Sequence, residues 1–529
     1  MTDGSAYEAA LAPWDRPARG GVAAGVIKGG QVVFRGEVGF ANLEHSVRVH
    51  PGTRFQIASL SKQFLGALAL LLSDAGHLRL DDDVRQKSPL LQQYANIITL
   101  RQLLSHTSGL LDTFDVLTLA GAKVETPVSK ETIAELFKKQ HHLNFSTGEG
   151  FAYSNGGFEI AASIIEDAMG SSLVDLYHSH FFKSIGMTST VLINYDNTVV
   201  EGEASGYLVH KGEAKRATHG MPFNGGAGIL STLDDMLLWE QYLLRNGDKA
   251  SLLSRMETPP AFSNGALSLY GLGTYVDKWR GLKISGHGGL LPGFVAQVVR
   301  CSAECTSVVV LSNSSDVDSN SLARGMLKAA LSGRGSDFDQ QANIAAGRYF
   351  DAAKNELFEV QHDGQKVWAL THGWRVPLTV QPDHSIIFDD PLLDGRLVGS
   401  DYLELVEWGR IWPLRRVAPS QGPESSLDRF VGDFSRDDIP TLLRFSCPTE
   451  GLTLSIQGAF GSANYRLERV EDDMFLGRSP AGTWMPLELL IRFFDDPDGP
   501  ATSIKITTDR TKGIVFSRNK FGTIPWSLE

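Results

Sequence analysis

The strongest chemical motif in the sequence is a serine followed three residues later by a lysine. Ser59 and Lys62 occur in RFQIASLSKQFLGALALLL, where an apolar run of helical period begins. Residues three apart share one face of a helix, so the Lys62 amine would lie beside the Ser59 hydroxyl. A serine hydroxyl is a weak nucleophile and needs such a neighbouring base. The alternative interpretation is that Ser59 caps the helix and Lys62 is an exposed residue of the first turn.

A second candidate pair is Tyr153 and Asn155, in FAYSNGGFEIAA. This segment predicts a turn directly before a helix that begins near Gly157. The Tyr153 phenol could carry protons, and the Asn155 amide could hold both a lysine and a substrate carbonyl. The alternative is that Ser-Asn-Gly-Gly is turn sequence without a function.

The third candidate is His287, which follows a β-rich run in KISGHGGLLPGF. Gly288 and Gly289 would let a ligand approach the backbone closely. Backbone N–H groups of an edge strand could then donate to a substrate carbonyl oxygen. A histidine satisfied within a glycine-rich turn is the simpler alternative for this motif taken alone.

The elements that must position these residues form a strand–helix–strand pattern. VAAGVIKGGQVVFRGEVGF (22–40) predicts a hairpin that turns at Gly29-Gly30. Short β-rich runs return at 281–313 and are followed by a helical pattern. Apolar residues at helical spacing begin at Ser61, Ser129 and Gly157. The sequence therefore predicts one antiparallel sheet, built from both ends of this region, around a helical middle.

Beyond a polar, Gly-rich segment near residue 333, aromatic and β-branched residues alternate with charges, which predicts all-β structure. Segments beginning at Ala345 and Arg429 share a Gly-x-aromatic opening and an acidic-Gly turn. We therefore expect a domain at 1–332 and two related small antiparallel β barrels or sandwiches at 341–418 and 427–529. Two unrelated β modules are the alternative.

Composition excludes several classes of function. The 49 Lys and Arg and 61 Asp and Glu give a formal charge of −12, and no basic run occurs, so nucleic-acid binding is not expected. No apolar stretch approaches the length of about 20 residues that spans a bilayer, and no signal peptide is recognisable, so a cytoplasmic protein is expected. Cys301, Cys305 and Cys447 are expected to be free thiols. The His141-His142 and His178/His180 pairs lack metal-ligand spacing.

The three motifs in this order resemble those of the SxxK serine hydrolases, which include penicillin-binding proteins, class C β-lactamases, esterases and D-aminopeptidases. The resemblance covers about 22–332 and implies an α+β fold: an antiparallel sheet flanked by helices beside a helical subdomain. It also implies roles. Ser59 would be the nucleophile, Lys62 and Tyr153 would exchange its proton, and Asn155 would orient Lys62 and substrate. The backbone N–H groups of Ser59 and Leu290 would form the oxyanion hole. His106, in HTSGL, would be scaffold rather than chemistry.

The two β domains, with HGG as the third motif, most resemble the bacterial D-aminopeptidases. His287 stands where many relatives have lysine, which would replace a permanent cation with a titratable group. Gly288 and Gly289 are expected to contact substrate. In the family a loop of the last β domain helps to recognise the substrate's amine. Here that loop would be 471–486, and its tip carries Arg478 and no carboxylate. Arg478 is thus expected at the substrate. Because a cation there would repel an ammonium group, either the amine is recognised elsewhere or the substrate differs.

The resemblance implies a hydrolase that works through an acyl-enzyme. Its expected substrates are amides and short peptides with an N-terminal D-residue, and a homodimer is expected. No metal or organic cofactor is expected, because acyl-enzyme chemistry needs none. The alternatives are an esterase or other amidase of the same family, and a binding or oligomerisation protein with a weak hydrolase domain.

Overall fold

The computed structural model describes residues 3–245, 251–332, 334, 344–364, 366–380, 386–388, 396–398, 403–407, 409–417, 427–448, 451–479, 488–494 and 499–525. These residues form an α+β N-terminal part and two all-β units, as expected. The expected linkers, nearly all of 333–341 and all of 418–426, lie outside the described residues.

Six antiparallel strands form the main sheet of the N-terminal part, in the order β10-β11-β12-β13-β1-β2. They are β1 (Val22–Lys28), β2 (Gln31–Val38), β10 (Tyr275–Trp279), β11 (Leu282–Leu291), β12 (Phe294–Cys301) and β13 (Thr306–Ser312). The predicted hairpin turns at Gly29 and Gly30, whose φ angles of 58° and 78° favour glycine. β1 pairs with β13. The prediction that both ends of this region share one sheet is therefore confirmed.

Eleven α-helices occur in the described residues. They are α1 (Asp3–Leu11), α2 (Lys62–Asp74), α3 (Leu100–Leu104), α4 (Thr113–Leu119), α5 (Lys130–Lys139), α6 (Asn155–Met169), α7 (Leu173–Tyr177), α8 (Lys183–Ile185), α9 (Leu233–Leu244), α10 (Leu252–Met256) and α11 (Ser319–Ala330). The predicted helices correspond to α2, α5 and α6. α6 begins two residues earlier than predicted, because the Ser154 hydroxyl accepts a hydrogen bond from the Gly157 N–H and caps it there. None of the described helices is long and apolar enough to cross a membrane.

Helices cover both faces of the main sheet. α1 and α11 bury Tyr7 and Leu322 against one face. On the other face Leu237 of α9 lies so close to β1 that a Cβ at Gly25 would come within 2.8 Å of it. α2 packs behind α9, where the rings of Phe64 and Trp239 stack with centroids 4.1 Å apart. α2 is therefore a central helix, and its first turn is enclosed by other elements.

Three small sheets complete this part of the chain. One pairs β3 (Phe40–Asn42) with β4 (Val47–Arg48), and another pairs β7 (Tyr207–His210) with β8 (Glu213–Arg216). The third has the order β5-β9-β6 and comprises β5 (Phe55–Gln56), β6 (Val191–Leu192) and β9 (Ile229–Ser231). β5 matters for the site because it leads directly into the segment that carries Ser59.

The first β unit is an antiparallel sheet that closes through a bent final segment. Its strands are β14 (Gly347–Asp351), β15 (Glu356–Asp363), β16 (Lys366–Thr371), β17 (Trp374–Val380), β18 (Ile386–Phe388), β19 (Arg396–Val398), β20 (Glu404–Glu407), β21 (Arg410–Pro413) and β22 (Arg415–Val417). β21 pairs with β20 at one end of the sheet, and β22 pairs with β14 at the other. Only Leu414 separates β21 from β22, so this one segment joins both edges.

The second β unit is a closed eight-stranded antiparallel barrel. Its strands are β23 (Gly432–Arg436), β24 (Ile439–Ser446), β25 (Thr453–Gly458), β26 (Gly461–Glu471), β27 (Met474–Arg478), β28 (Glu488–Phe494), β29 (Ser503–Thr507) and β30 (Ile514–Arg518). The two units open alike: Gly347 and Gly432 have φ angles of 147° and 149°. At each glycine an arginine of the last strand, Arg416 or Arg518, occupies the space of a Cβ. This shared detail favours two related barrels.

The second barrel shares a hydrophobic core with the helical region. Leu111, Val116 and Leu119 pack with the interior residues of the barrel. A Cβ at Gly458 would lie 1.9 Å from the Ala120 carbonyl oxygen, so the two backbones meet where no side chain intervenes. The barrel is thus packed directly against α4 and the residues on either side of it.

A buried ion pair joins the main sheet to the helices beneath the site. Arg300 of β12 and Glu240 of α9 are both 0% exposed and lie 2.5 Å apart. Arg300 also donates to Gln63 Oε1, and the Ser307 hydroxyl donates to Glu240 at 2.7 Å. Since Gln63 follows Lys62, this network fixes the start of α2 relative to the sheet.

Breaking this pair on one side should destabilise the protein strongly. Arg300→Met leaves the Glu240 carboxylate buried without its cation, so we expect a loss of about 3–5 kcal/mol in the free energy of unfolding. Arg255→Met, which breaks the exposed pair with Asp74, should cost less than about 1 kcal/mol. Urea denaturation measures both. Equal effects of the two substitutions would contradict this role of the buried pair.

Candidate active site

Ser59 lies in a short turn, Ala58–Ser61, between β5 and α2. Ala58 has a φ of 51°, which strains a non-glycine residue, so the turn must be held by its surroundings. Ile229 of β9 holds it on both sides: Ile57 N–H donates to the Ile229 carbonyl (3.0 Å), and Ile229 N–H donates to the Ser61 hydroxyl (3.3 Å). No side chain caps α2, whose N-cap residue is Ser61. The alternative interpretation of Ser59 as a cap is therefore wrong.

Lys62 is fully buried, contrary to the exposed first-turn alternative. Its Nζ atom lies 3.2 Å from Ser59 Oγ, 3.0 Å from Asn155 Oδ1 and 2.9 Å from the Gly226 carbonyl oxygen. An ammonium group has three N–H donors, and this site offers three acceptors. Lys62 is thus held against Ser59 by two other segments of the chain.

Two cations and a histidine ring lie close to Tyr153. Lys62 Nζ is 5.1 Å from the centroid of the Tyr153 ring, and the Arg510 guanidinium carbon is 4.9 Å from it. The His106 ring stacks on Tyr153, with centroids 4.1 Å apart. Burial and the positive charge of Lys62 hold the pKa of His106 well below its ordinary value, so the stacked ring is neutral. His106 supports Tyr153, in keeping with the scaffold role expected for it.

Asn155 begins α6, and Asp112 fixes its side chain. Asp112 Oδ2 accepts from both the backbone N–H (2.7 Å) and the Nδ2 group (2.9 Å) of Asn155. This leaves Asn155 Oδ1 turned toward Lys62. Asp112 is itself buried, and its Oδ1 accepts from the Phe114 N–H at the start of α4. The orientation of the amide is therefore set by a carboxylate that the sequence analysis did not single out.

His287 lies in β11 and is almost fully buried. Its Nε2 is 2.7 Å from the Tyr270 hydroxyl, and its Nδ1 is 2.5 Å from the Gly288 carbonyl oxygen. Burial, together with the charge of Lys62, lowers the pKa of His287 to about 3. The neutral tautomer that fits donates from Nδ1 to Gly288 and accepts at Nε2 from Tyr270. The titratable group expected in place of a permanent cation is therefore uncharged at neutral pH.

The segment after His287 is an open edge facing the site. β10 pairs with β11 only between Leu282 and Gly286, so residues 287–291 have no strand partner on that side among the residues that the structure describes. A Cβ at Gly289 would lie 2.3 Å from the Ile57 carbonyl oxygen. Glycine thus lets β11 approach the segment that carries Ser59. The backbone of Gly288, Gly289 and Leu290 borders the same cavity as Ser59.

The turn between β29 and β30 of the second barrel reaches this site. Thr508 Oγ1 and the Arg510 N–H both donate to Asp115 Oδ2, and Arg510 Nη1 lies 3.6 Å from Asp112 Oδ1. Burial and the nearby Asp112 and Asp509 carboxylates raise the pKa of Asp115 to about 6. The sequence analysis missed Arg510. TTDRTKG is typical of an exposed turn, and no local signal connects it to residues almost 400 positions earlier.

Arg478 is not brought to the site. It ends β27, where it lies 2.9 Å from Glu488 and 3.1 Å from Glu468 and forms an ion-paired cluster on the barrel. The rest of the expected loop tip, Pro480–Gly482, lies outside the described residues. Among the described residues of this barrel, it is therefore Arg510 and not Arg478 that contacts the site.

The cavity that contains Ser59 has a volume of about 370 Å³. It is bordered by Tyr153, Asn155 and His287, and also by residues of both barrels, including His372 and Arg510. No group of three or more His, Cys, Asp or Glu side chains in the described chain is placed to hold a metal ion.

Cys301, Cys305 and Cys447 are free thiols. Cys301 is buried, Cys305 is half-buried and Cys447 is exposed.

His287 should show no titration in the range where histidine is normally a switch. With a pKa of about 3, its ring Cε1–H resonance should stay constant between about pH 5 and 8. The folded pKa is lower than the unfolded value of about 6.5, so below that pH the unfolded chain binds a proton that the folded protein does not. The contribution of His287 to the free energy of unfolding is therefore highest above that pH and decreases as the pH falls. The measurement is an NMR titration with His287→Gln for assignment. A transition near pH 6.5 that this substitution removes would contradict a neutral His287.

Relatives of known name cover part of the chain. Residues 9–331 match the Beta-lactamase family. A D-aminopeptidase from Cereibacter sphaeroides is 34% identical over 349 residues, which are 65% of this chain and 66% of that protein. A D-aminopeptidase from Brucella anthropi is 33% identical over 299 residues, 55% of this chain and 56% of that protein. The matches thus span somewhat less than two thirds of the relatives' own length.

Solved structures extend the likeness in fold. The octameric penicillin-binding protein homologue from Pyrococcus abyssi has a TM-score of 0.55 at 22% identity and covers 78% of this chain and 100% of its own. The structure of SurE has a TM-score of 0.51 at 18% identity and covers 98% of both chains, so its likeness includes the β units. With a family match over 9–331, a sheet between helices, and Ser59 beside Lys62, the chain belongs to the Beta-lactamase family.

Proposed function

We propose that the protein is a serine hydrolase that works through an acyl-enzyme and releases N-terminal D-amino acids from amides and short peptides. The observation that carries the proposal is the contact of the buried Lys62 Nζ with Ser59 Oγ at 3.2 Å and with Asn155 Oδ1 at 3.0 Å. A buried amine that touches a serine hydroxyl is the arrangement that activates a nucleophile. The substrate class is favoured by the two relatives named D-aminopeptidase.

In the proposed reaction the substrate carbonyl lies between the turn of Ser59 and the open edge of β11. The backbone N–H groups of Ser59 and Leu290 would donate to the carbonyl oxygen as it becomes an oxyanion. Preorganised donors of this kind each lower a barrier by about 3 kcal/mol. Gly289 lets β11 approach Ile57, which lies two residues before Ser59, and this close approach supports the pairing of these two donors.

The Ser59 proton leaves through Lys62 and Tyr153. As Ser59 Oγ bonds to the carbonyl carbon, its proton passes to this pair, and Tyr153 then returns a proton to the departing amine. Water attacks the acyl-enzyme by the same route in reverse, releases the acid and restores Ser59. To accept this proton, the pair must begin the reaction with one proton fewer than an ammonium and a phenol hold together. The Arg510 guanidinium, 4.9 Å from the centroid of the Tyr153 ring, places a further positive charge beside the pair.

The neutral state of His287 favours an aminopeptidase over a carboxypeptidase. An enzyme that acts at the C-terminal residue of a peptide must hold a carboxylate, for which a cation is the usual partner. His287 provides none, because burial lowers its pKa to about 3. The third motif therefore suits substrates that carry no carboxylate beside the scissile bond.

Self-association is part of the proposal. The penicillin-binding protein homologue from Pyrococcus abyssi is described as octameric, which supports an oligomer in this fold. A homodimer and a cytoplasmic location both stay predictions from the sequence.

The substrate class is tested by comparing three anilides. We expect kcat/KM for D-alanine p-nitroanilide to exceed that of its L-enantiomer and of its N-acetyl form by about 100-fold or more, as expected when a charged group is recognised in the transition state. Ser59→Ala should lower activity by more than about 1000-fold, since it removes the nucleophile. Ser163→Ala, at an exposed serine of α6, is the matched control. Preference for the N-acetyl form, or cleavage of esters alone, would replace this proposal with an amidase or esterase.

Arg510 is expected to be a positioning residue. Arg510→Met removes a charge beside both Tyr153 and Asp112, so kcat should fall by about 10- to 100-fold. KM should change much less than kcat, because Arg510 acts through Tyr153 and Asp112 rather than by holding the substrate. Arg510→Lys should restore part of kcat. Arg444→Met, which breaks an exposed pair with Asp433 on the same barrel, is the control. A loss of activity that is matched by an equal loss of Ser59 labelling with a fluorophosphonate, or a rise in KM with kcat unchanged, would contradict the positioning role.

A further inference from the structure

Glu159 is a carboxylate of the cavity that the proposed reaction does not use. It lies on α6 one turn after Asn155, so the two side chains share one face of the helix. Glu159 borders the same cavity as Ser59. Its Oε2 atom is buried and has no hydrogen-bond partner among the described residues. Glu159 as a whole is half-buried, but a buried carboxylate oxygen without a partner in the protein is costly and calls for a reason.

The other carboxylates that border the cavity already have partners. Three of them form ion pairs: Glu356 with Lys512, Asp509 with Arg510, and Glu407 with Lys354. The fourth, Asp351, accepts hydrogen bonds from the N–H groups of Ala353 and Lys354. Within the described part of the chain, Glu159 is thus the cavity carboxylate that has neither an ion pair nor a hydrogen bond.

The electrostatic surroundings of Glu159 point to an absent cation. Burial and the nearby Asp112 raise the pKa of Glu159 to about 7, although Lys62 and Lys130 act in the opposite direction. Both lysines are committed elsewhere, Lys62 to Ser59 and Lys130 to Asn194 at 3.4 Å. A cation entering the cavity would favour the charged carboxylate and form a desolvated ion pair with it.

We propose that Glu159 binds the free α-ammonium group of the substrate's N-terminal residue. The inference rests on the proposed function and names its amine-recognition residue. The contacts run from Ser59 through Lys62 to Asn155, and Glu159 is the next residue along that face of α6. In an aminoacyl substrate the ammonium is attached to the carbon next to the reacting carbonyl. The spacing of one helical turn between Asn155 and this carboxylate is therefore similar to the size of an aminoacyl group.

This assignment also accounts for the missing carboxylate of the last barrel. The segment EDDMFLGRSPAGTWMP has acidic residues only at Glu471, Asp472 and Asp473, before β27 begins. Arg478 lies in its ion-paired cluster on the barrel. Recognition of the amine from α6 needs no residue of that segment.

The test compares Glu159→Gln with Asp167→Asn, which removes the same charge from an exposed position of the same helix. The substrates are D-alanine p-nitroanilide and propionyl p-nitroanilide, which lacks only the amine. In Glu159→Gln the ratio of kcat/KM for the first substrate to that for the second should fall by about 100-fold, as for loss of a charge-assisted bond. Glu159→Asp should restore part of this ratio, and Asp167→Asn should retain the wild-type ratio.

Binding without turnover provides a second measurement. In the Ser59→Ala background, isothermal titration with D-alaninamide should show an affinity about 10- to 100-fold weaker when Glu159→Gln is added. Labelling of Ser59 by a fluorophosphonate shows that the Glu159→Gln single variant is folded. If the Glu159→Gln variant keeps the wild-type preference for the amine in both measurements, the role of Glu159 is overturned but the proposed substrate class is not. Wild-type enzyme with no preference for the amine overturns the proposed substrate class as well.

Discussion

The burial of one ammonium group determines how this site is built. Lys62 is fully buried on the first turn of α2, and a buried cation requires acceptors for its N–H groups. The chain supplies them from three distant places: the turn of Ser59, the start of α6 at Asn155, and the backbone of Gly226. Each acceptor must be held in place, because losing one would leave a donor unpaired in a dry environment. Catalytic geometry and stability of the fold therefore both require that these segments hold the three acceptors in place.

The residues that hold these acceptors in place include residues of the second barrel. Asn155 is oriented by Asp112, which is a second buried charge, and the cation nearest to Asp112 on the barrel is Arg510. Opposing burial, the Asp112 and Asp509 carboxylates raise the pKa of the Arg510 guanidinium above its ordinary value. The same turn satisfies Asp115, and the barrel interior continues into the core around Val116. The barrel is thus part of the electrostatic support of the site rather than an appended module.

The sequence predicts what depends on neighbours along the chain. The turn at Gly29-Gly30, the helix after Ser59 and the β pattern beyond residue 333 are all encoded locally, and motif order brought Tyr153 and His287 to the same site. Contacts across the fold were not predictable. Arg510 meets Asp112 across almost 400 residues, and Arg478 was assigned to the site only because its segment resembled a family loop. The sequence indicated that His287 replaces a permanent cation with a titratable group, but its burial against Tyr270, which keeps it neutral, cannot be inferred from HGG.

Charge balance within the cavity suggests how specificity is divided along the substrate. On the β11 side His287 is neutral and the remaining groups are backbone N–H and C=O, which suit an uncharged amide. On the α6 side the Lys62 ammonium donates to Ser59 and Asn155, which leaves Glu159 as a carboxyl group without a counterion, whose charged form an entering cation would favour. A substrate with a positive group beside the scissile carbonyl and no negative group would complement both sides. Discrimination against carboxylate-bearing substrates then follows from desolvation, because the cavity offers them no unpaired cation among these residues.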